Sequence, residues 1–323
     1  GEAACRSLLD FALFLSFFPH LVAGPIVRPK AFIPQLAAAP IVSGVEIEQA
    51  LARIAQGYLK KVLLADVLGQ YVDQVWGDLG AFPAGNVLLA FYAYAFQIYF
   101  DFSGYTDIAL GVAKLFGFWL PENFNRPYLA VSPREFWQRW HISLSTWLRD
   151  YLYISLGGNR IGPIRTYVNL MLTMLLGGLW HGAAWNFVVW GGYHGGLLAA
   201  HRFVSDRRPA PAAPSWLRTT LARVGMFHLV VLGWVFFRAP SLAESGVALA
   251  RLAAPGYVVV RAGSEALIII AVAMLLHLLP PAKTLRERFV RLPPVVQGLS
   301  YSFATIAAFF LAPASERFIY FQF

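Results

Sequence analysis

The sequence carries little charge and almost no cysteine. Its single cysteine, Cys5, excludes an internal disulfide and any cysteine-rich metal site. Charged residues make up 13% of the chain, against about 25% in ordinary soluble domains. Carboxylates number 17 and cations 26. The net charge of +9 does not point to nucleic acid. The arginines are scattered between apolar runs, as expected of residues that hold loops on the cytoplasmic side of a membrane. No phosphate-binding P-loop, dinucleotide fingerprint or Gly-x-Ser-x-Gly nucleophile elbow is present, and Phe102-Ser103-Gly104 does not match the last of these. The polar helices lack a His-x-x-x-His or Glu-x-x-His pair, so no metal is expected. The in/out alternation of a transmembrane β-barrel is also missing, as are internal repeats, low-complexity tracts and domain linkers.

What the chain does have is apolar residues, 58% of 323. They fall in runs long enough, or nearly so, to span a bilayer. The expected fold is all-α: a polytopic transmembrane helical bundle of roughly eight to ten membrane segments, some re-entrant or interfacial, forming one membrane domain over residues 1–323. The longest run without Asp, Glu, Lys or Arg extends from Thr166 to His201. As one straight helix it would measure about 54 Å, well beyond the ~30 Å hydrocarbon core. It is therefore expected to bend or break, and Gly177 to Gly182 is the expected place.

Phe11 to Val27 is interrupted by Pro19, His20, Gly24 and Pro25 and reads as a short helix followed by a re-entrant or interfacial turn. Val45 to Trp76 is amphipathic, with Ile47, Leu51, Ile54 and Tyr58 at helical spacing. Ser43 with Glu46 predicts a capped start, and Lys60-Lys61 read as snorkelling anchors. Asn86 to Phe100 runs into Asp101 and Asp107, six residues apart and so on different sides of a helix. They suit either interhelical pairing or a polar cavity wall, and do not suit a paired-carboxylate acid/base couple. Ser132-Pro133 with Glu135 opens a polar, aromatic helix through Tyr151. A basic stretch from Arg202 to Arg223 reads as a cytoplasmic loop. Apolar segments follow at Gly225–Phe237, Ala266–Leu279 and Leu292–Ala312.

Among seven histidines, His141 and His181 stand in dense polar-aromatic surroundings on different helices. Ionisable groups at membrane depth are costly and are functional candidates by default, and imidazole is suited to take a proton from a hydroxyl near neutral pH. His20, His201, His228 and His277 read as packing or interfacial residues. His194, within Gly191-Gly192-Tyr193-His194-Gly195-Gly196, reads as part of a closely packed small-residue face.

Four stretches carry a family resemblance: DFSGYTDIALG (Asp101 to Gly111), NFNRPY (Asn123 to Tyr128), FWQRWHISLSTWLRDYLY (Phe136 to Tyr153) and GGLWHGAAW (Gly177 to Trp185). Smaller echoes are AGPIVR at Ala23 to Arg28, WVFFR at Trp234 to Arg238 and the closing FIYFQF from Phe318. With these motifs the chain resembles the membrane-bound O-acyltransferases, in the bacterial branch of alginate O-acetyltransferase and related polysaccharide acetylation proteins. The resemblance runs over essentially the whole chain. It implies that the chain corresponds to roughly the C-terminal two-thirds of such a protein, lacking the family's N-terminal helices. It also implies a multi-pass protein of the bacterial inner membrane with histidines in a tunnel.

By the same resemblance His181 is the essential active-site histidine, acting as general base on an acceptor hydroxyl, and His141 is the second family position. The donor is expected to be acetyl-CoA or another acetyl thioester, with no resident cofactor. Arg139, Arg149 and Lys60 are candidates for its phosphates, with anchoring and ion pairing, for example of Arg149 with Asp150 or Glu135, as their simpler role. Trp180, Trp185, Asn186, Asp101, Ser143 and Asn125 are candidates for the substrate tunnel. The expected partners are the lipid bilayer, an extracytoplasmic acetyltransferase and an exported polysaccharide such as alginate as final acceptor. A proton- or ion-coupled transporter and a non-catalytic scaffold of a polysaccharide-export complex are the competing readings.

Overall fold

The structure, a computed structural model, describes residues 7–37, 41–207, 215–254, 257 and 263–311. Cys5, the part of the basic stretch from Arg208 to 214, and the closing residues from Phe318 lie outside the described residues. Every regular element described is helical. The α-helices are α1 Leu8–Ser16, α2 Pro29–Phe32, α3 Gly44–Leu59, α4 Asp66–Gly77, α5 Ala84–Leu115, α6 Pro133–Arg139 and α7 Ile142–Trp147. They continue as α8 Pro163–His181, α9 Trp185–Ser205, α10 Trp216–Arg238, α11 Leu242–Arg251, α12 Ser264–Leu278, α13 Ala282–Phe289 and α14 Pro294–Leu311. Two compact units result. One takes the described residues among 1–67, 98–125 and 279–322, the other those among 68–97 and 126–278.

The first unit is organised by α3 and the second half of α5. Ser43 caps α3 with the expected capping box: its hydroxyl accepts from the Glu46 N–H, and its own N–H donates to the Glu46 carboxylate at 2.9 Å. That bond holds the Glu46 carboxyl below the usual carboxylate range. The two helices approach through glycine. A Cβ on Gly57 would lie 2.5 Å from the Gly104 carbonyl oxygen, and one on Gly111 would lie 2.6 Å from Ile54 Cγ1.

After α3 the chain makes a π-helical turn over Lys60–Ala65. Lys60 pairs with Asp107 at 2.7 Å, and Lys61 pairs with Asp101 at 2.9 Å and Asp66 at 2.6 Å. Arg53 joins Asp107 at 2.9 Å and also grips Glu122, while Arg286 donates to Gln56. The expectation of snorkelling for Lys60 and Lys61 is thereby corrected. Both ammonium groups turn inward, because the π turn aims adjacent residues at two buried aspartates on α5. Of the two roles open to Asp101 and Asp107, interhelical pairing is the one observed. The exposed side of α3 is apolar, with Ile47, Leu51 and Tyr58 uncovered.

The second unit is built on α8 and α9. Cβ positions on Gly178, Gly191 and Gly195 meet Phe187, Met174 and Met171 respectively. The contacting residue numbers rise on one helix as they fall on the other, so the helices form an antiparallel hairpin. The long uncharged run does break, but at Gly182–Ala184, between the two helices; of the expected place, Gly177 to Gly182, residues 177–181 stay helical. Gly182 is extended, and its lack of a side chain accommodates the Phe187 ring, whose Cε2 would lie 2.7 Å from a Cβ there. α10 packs along α9, with the Tyr193 hydroxyl donating to the Leu229 carbonyl.

Among the described residues α10 is the one helix long and apolar enough by itself to cross a membrane. α12 and α13 pass the same test taken together. Helices α5, α8 and α9 have 32, 19 and 21 residues, enough length to span. Their aspartates, histidines, asparagines and glycines lower their hydropathy.

The polar helix expected from Ser132 to Tyr151 is interrupted. It starts as read, with the Ser132 hydroxyl accepting from the Glu135 N–H and Pro133 in the first turn. It then breaks at Trp140, which is extended, and His141, which is left-handed at φ 41°. Neither Gly nor Pro marks the break. Tertiary packing holds it: the buried Trp140 ring lies 4.8 Å from Trp234 and 5.8 Å from Phe136, and the Ser145 hydroxyl donates to the Trp140 carbonyl.

Candidate active site

His181 is the last residue of α8, beside the break that the hairpin requires. Its ring packs against Phe237 at 5.0 Å and edge-on against Trp190 at 5.2 Å. Trp180 lies against both candidate histidines, 4.9 Å from the His181 ring and 6.3 Å from the His141 ring. His141, 4% exposed, arrives from the left-handed break before α7. The two imidazoles lie within electrostatic range of each other. A non-glycine left-handed residue costs about 1–2 kcal/mol, and such strain gathers at functional sites where the surroundings enforce it. Two residues 40 apart in sequence are thus brought to one place by a helix break and a strained kink.

The arrangement suits proton transfer. Each histidine can hold or release one proton, and the surrounding wall is aromatic. Among the described residues no group of three or more His, Cys, Asp or Glu could hold a metal ion.

The other expected site residues divide. Ser143 is buried on α7, two residues from His141. Trp180, 56% exposed, covers the histidine pair, whereas Trp185 at the start of α9 is 75% exposed. Asn186 is spent on structure: its amide donates to the Ala239 carbonyl at 2.9 Å and the Phe236 carbonyl at 3.3 Å, satisfying orphan carbonyls at the end of α10. Arg139 is held by Glu135 at 2.7 Å and Arg149 by Asp150 at 2.6 Å. Lys60, Asp101 and Asn125 belong to the other unit, the first two within its ion pairs and the third exposed in a loop.

A cavity of about 580 Å³ lies in the histidine-bearing unit. Arg149 lines it together with three arginines the sequence reading did not single out, Arg134, Arg160 and Arg202. Its apolar floor includes Trp137, Leu148 and Met174. Asp206 is the one carboxylate in the lining, 3.4 Å from Arg202. The turn Gly157-Gly158, with φ of 99° and 57°, brings Arg160 to this rim. These arginines come from separate elements, so no local spacing announces them.

Residues 5–237 match the membrane-bound O-acyltransferase family, MBOAT. The chain is 49% identical over 239 residues to the probable alginate O-acetylase AlgI of Azotobacter vinelandii, covering 74% of this chain and 46% of that protein. It is 42% identical over 241 residues to the peptidoglycan O-acetyltransferase of Helicobacter pylori, covering 72% and 44%. It is 34% identical over 259 residues to the teichoic acid D-alanyltransferase of Streptococcus thermophilus, covering 72% and 61%. The chain spans about half the length of the alginate O-acetylases it matches.

Proposed function

The chain belongs to the membrane-bound O-acyltransferase family, and from that premise we propose that it serves a multi-pass bacterial inner-membrane O-acyltransferase that moves acetyl groups toward an exported polysaccharide. The observation that carries this reading is the meeting of His141 and His181 across Trp180 in an aromatic wall.

His181 takes the proton of an acceptor hydroxyl as its oxygen attacks the carbonyl carbon of an acetyl thioester. His141 orients the reactants or stabilises the oxygen on which negative charge develops. The carbon–sulfur bond then breaks, and the proton held by His181 passes to the departing thiolate. General acid–base help of this kind contributes about 10²–10⁴-fold.

The arginine-rimmed cavity suits the donor's anionic end, with Arg149 in the role expected for it and Arg134 and Arg160 beside it. Arg139 and Lys60 are not assigned to the donor, since Arg139 does not line this cavity and Lys60 belongs to the other unit. Large apolar side chains stand uncovered on many helices, among them Leu8, Leu51, Ile268, Phe303 and Phe309, while Asp101 and Asp107 are buried. Lipid favours that distribution and water opposes it, which supports a membrane setting. An acetyltransferase beyond the membrane would pass the group to the final acceptor, with alginate and peptidoglycan as the polymers named for the relatives.

The test is the O-acetyl content of exported polysaccharide in a deletion strain. The strain is complemented with the full-length protein carrying wild-type sequence, His181→Ala or His141→Ala, at matched membrane levels. Restoration by wild type and failure by His181→Ala is the expected result. Full restoration by His181→Ala would remove His181 from the chemistry and make the protein a scaffold.

A further inference from the structure

His194 is fully buried on α9, and neither of its ring nitrogens has a hydrogen-bond partner in the protein. Three tryptophans surround it: Trp190 at 5.0 Å, Trp137 at 5.2 Å and Trp234 at 6.4 Å. The indole nitrogen of each is likewise buried without a protein partner. The Phe136 ring stacks parallel to the imidazole at 6.1 Å. Burying such groups unpaired costs about 1–3 kcal/mol each, and more than about 90% of buried polar groups in folded proteins are paired with protein or with ordered water. A phenylalanine or leucine would fill the same space without that cost.

The donor count identifies what would satisfy the cluster. The unpartnered groups amount to three indole N–H and one imidazole N–H against a single acceptor, the other imidazole nitrogen. The matching occupant is rich in acceptor lone pairs and able to donate once, which describes water. Trp190 links this box to the site, because its ring touches both His194 and His181.

We propose that the box formed by Trp137, Trp190, Trp234 and His194 holds ordered water, and that His194 through this water is a positioning residue that fixes the Trp190 wall against which His181 rests. This rests on the acyltransferase reading for its kinetic consequence and not for the water site itself.

The two parts are tested separately on the full-length protein. A cryo-EM map that resolves ordered water should show density within hydrogen-bond distance of a His194 nitrogen and of at least one indole nitrogen, lost in His194→Phe. A dry box, with the imidazole in ring contacts only, overturns the proposal whatever the reaction proves to be. In acetyl-transfer kinetics His194→Phe, which keeps the ring and removes both nitrogens, should lower kcat on the order of 10- to 100-fold. KM should stay near wild type, and His194→Gln should recover part of the loss. Equal kcat for wild type and His194→Phe, with His181→Ala inactive in the same assay, overturns the positioning role and leaves the His181 reading standing.

Discussion

The two units bury polarity in opposite ways. In the one built on α3 and the second half of α5, the buried carboxylates are held in ion pairs: Asp107 with Lys60 and Arg53, and Asp101 with Lys61. In the one built on the α8–α9 hairpin, the most buried polar groups include His141, His194 and Asn186. Its ion pairs, Arg139–Glu135, Arg149–Asp150, Arg202–Asp206 and Arg238–Asp73, involve partly exposed side chains. A buried, mutually satisfied ion pair fixes geometry and leaves little freedom for a proton to move. Imidazoles among aromatic rings keep that freedom. The comparison separates charge used for architecture from polarity available for chemistry, and it puts two aspartates of a conspicuous motif among the ion-paired groups.

Removing one carboxylate from the first unit should have the largest effect on stability. Asp107→Ala leaves Arg53 and Lys60 facing each other without their shared partner, at an expected loss of roughly 3–5 kcal/mol. Thermal unfolding in detergent reads it, and a variant as stable as wild type would break the architectural assignment. In the second unit the sensitive feature is close packing. Gly178→Val drives a side chain into the Phe187 backbone, and overpacking of this kind costs about 1–3 kcal/mol, measurable in the same melt.

Charge in the second unit should matter for binding and not for folding. Arg160→Gln should raise the donor KM roughly two- to fivefold, in keeping with a partly exposed charge, with kcat and melting temperature unchanged. Loss of stability without a KM change would move Arg160 to the architectural side.

The smallest effect is expected at the Ser43–Glu46 cap. Its carboxylate is held below the usual range, so its contribution is fully present above the ordinary carboxylate pKa. That contribution fades as pH falls through the lowered value. Melting temperatures of wild type and Glu46→Gln should converge on acidification.

Much of this was legible in the sequence where a local rule governed. The α3 cap, the Ser132–Pro133 helix start and the break between α8 and α9 follow from capping chemistry and from a run too long for a bilayer. The Trp-His-Gly and Arg-Trp-His contexts marked His181 and His141. What escaped depends on distant neighbours. The kink at Trp140–His141 carries no glycine or proline and is held by Trp234 and Phe136. The inward turn of Lys60 and Lys61 depends on a π turn that no residue pattern announced. Arg134, Arg160 and Arg202 meet at one cavity only after the chain folds, and the indoles around His194 come from three helices.

The most direct test of the central claim is the initial rate of acetyl transfer from a thioester to a hydroxyl acceptor. It would be measured in membranes holding equal amounts of the full-length wild type and His181→Ala. A general base at His181 predicts a fall of about 10²–10⁴-fold with the donor still bound. A His181→Ala rate equal to that of wild type would contradict it.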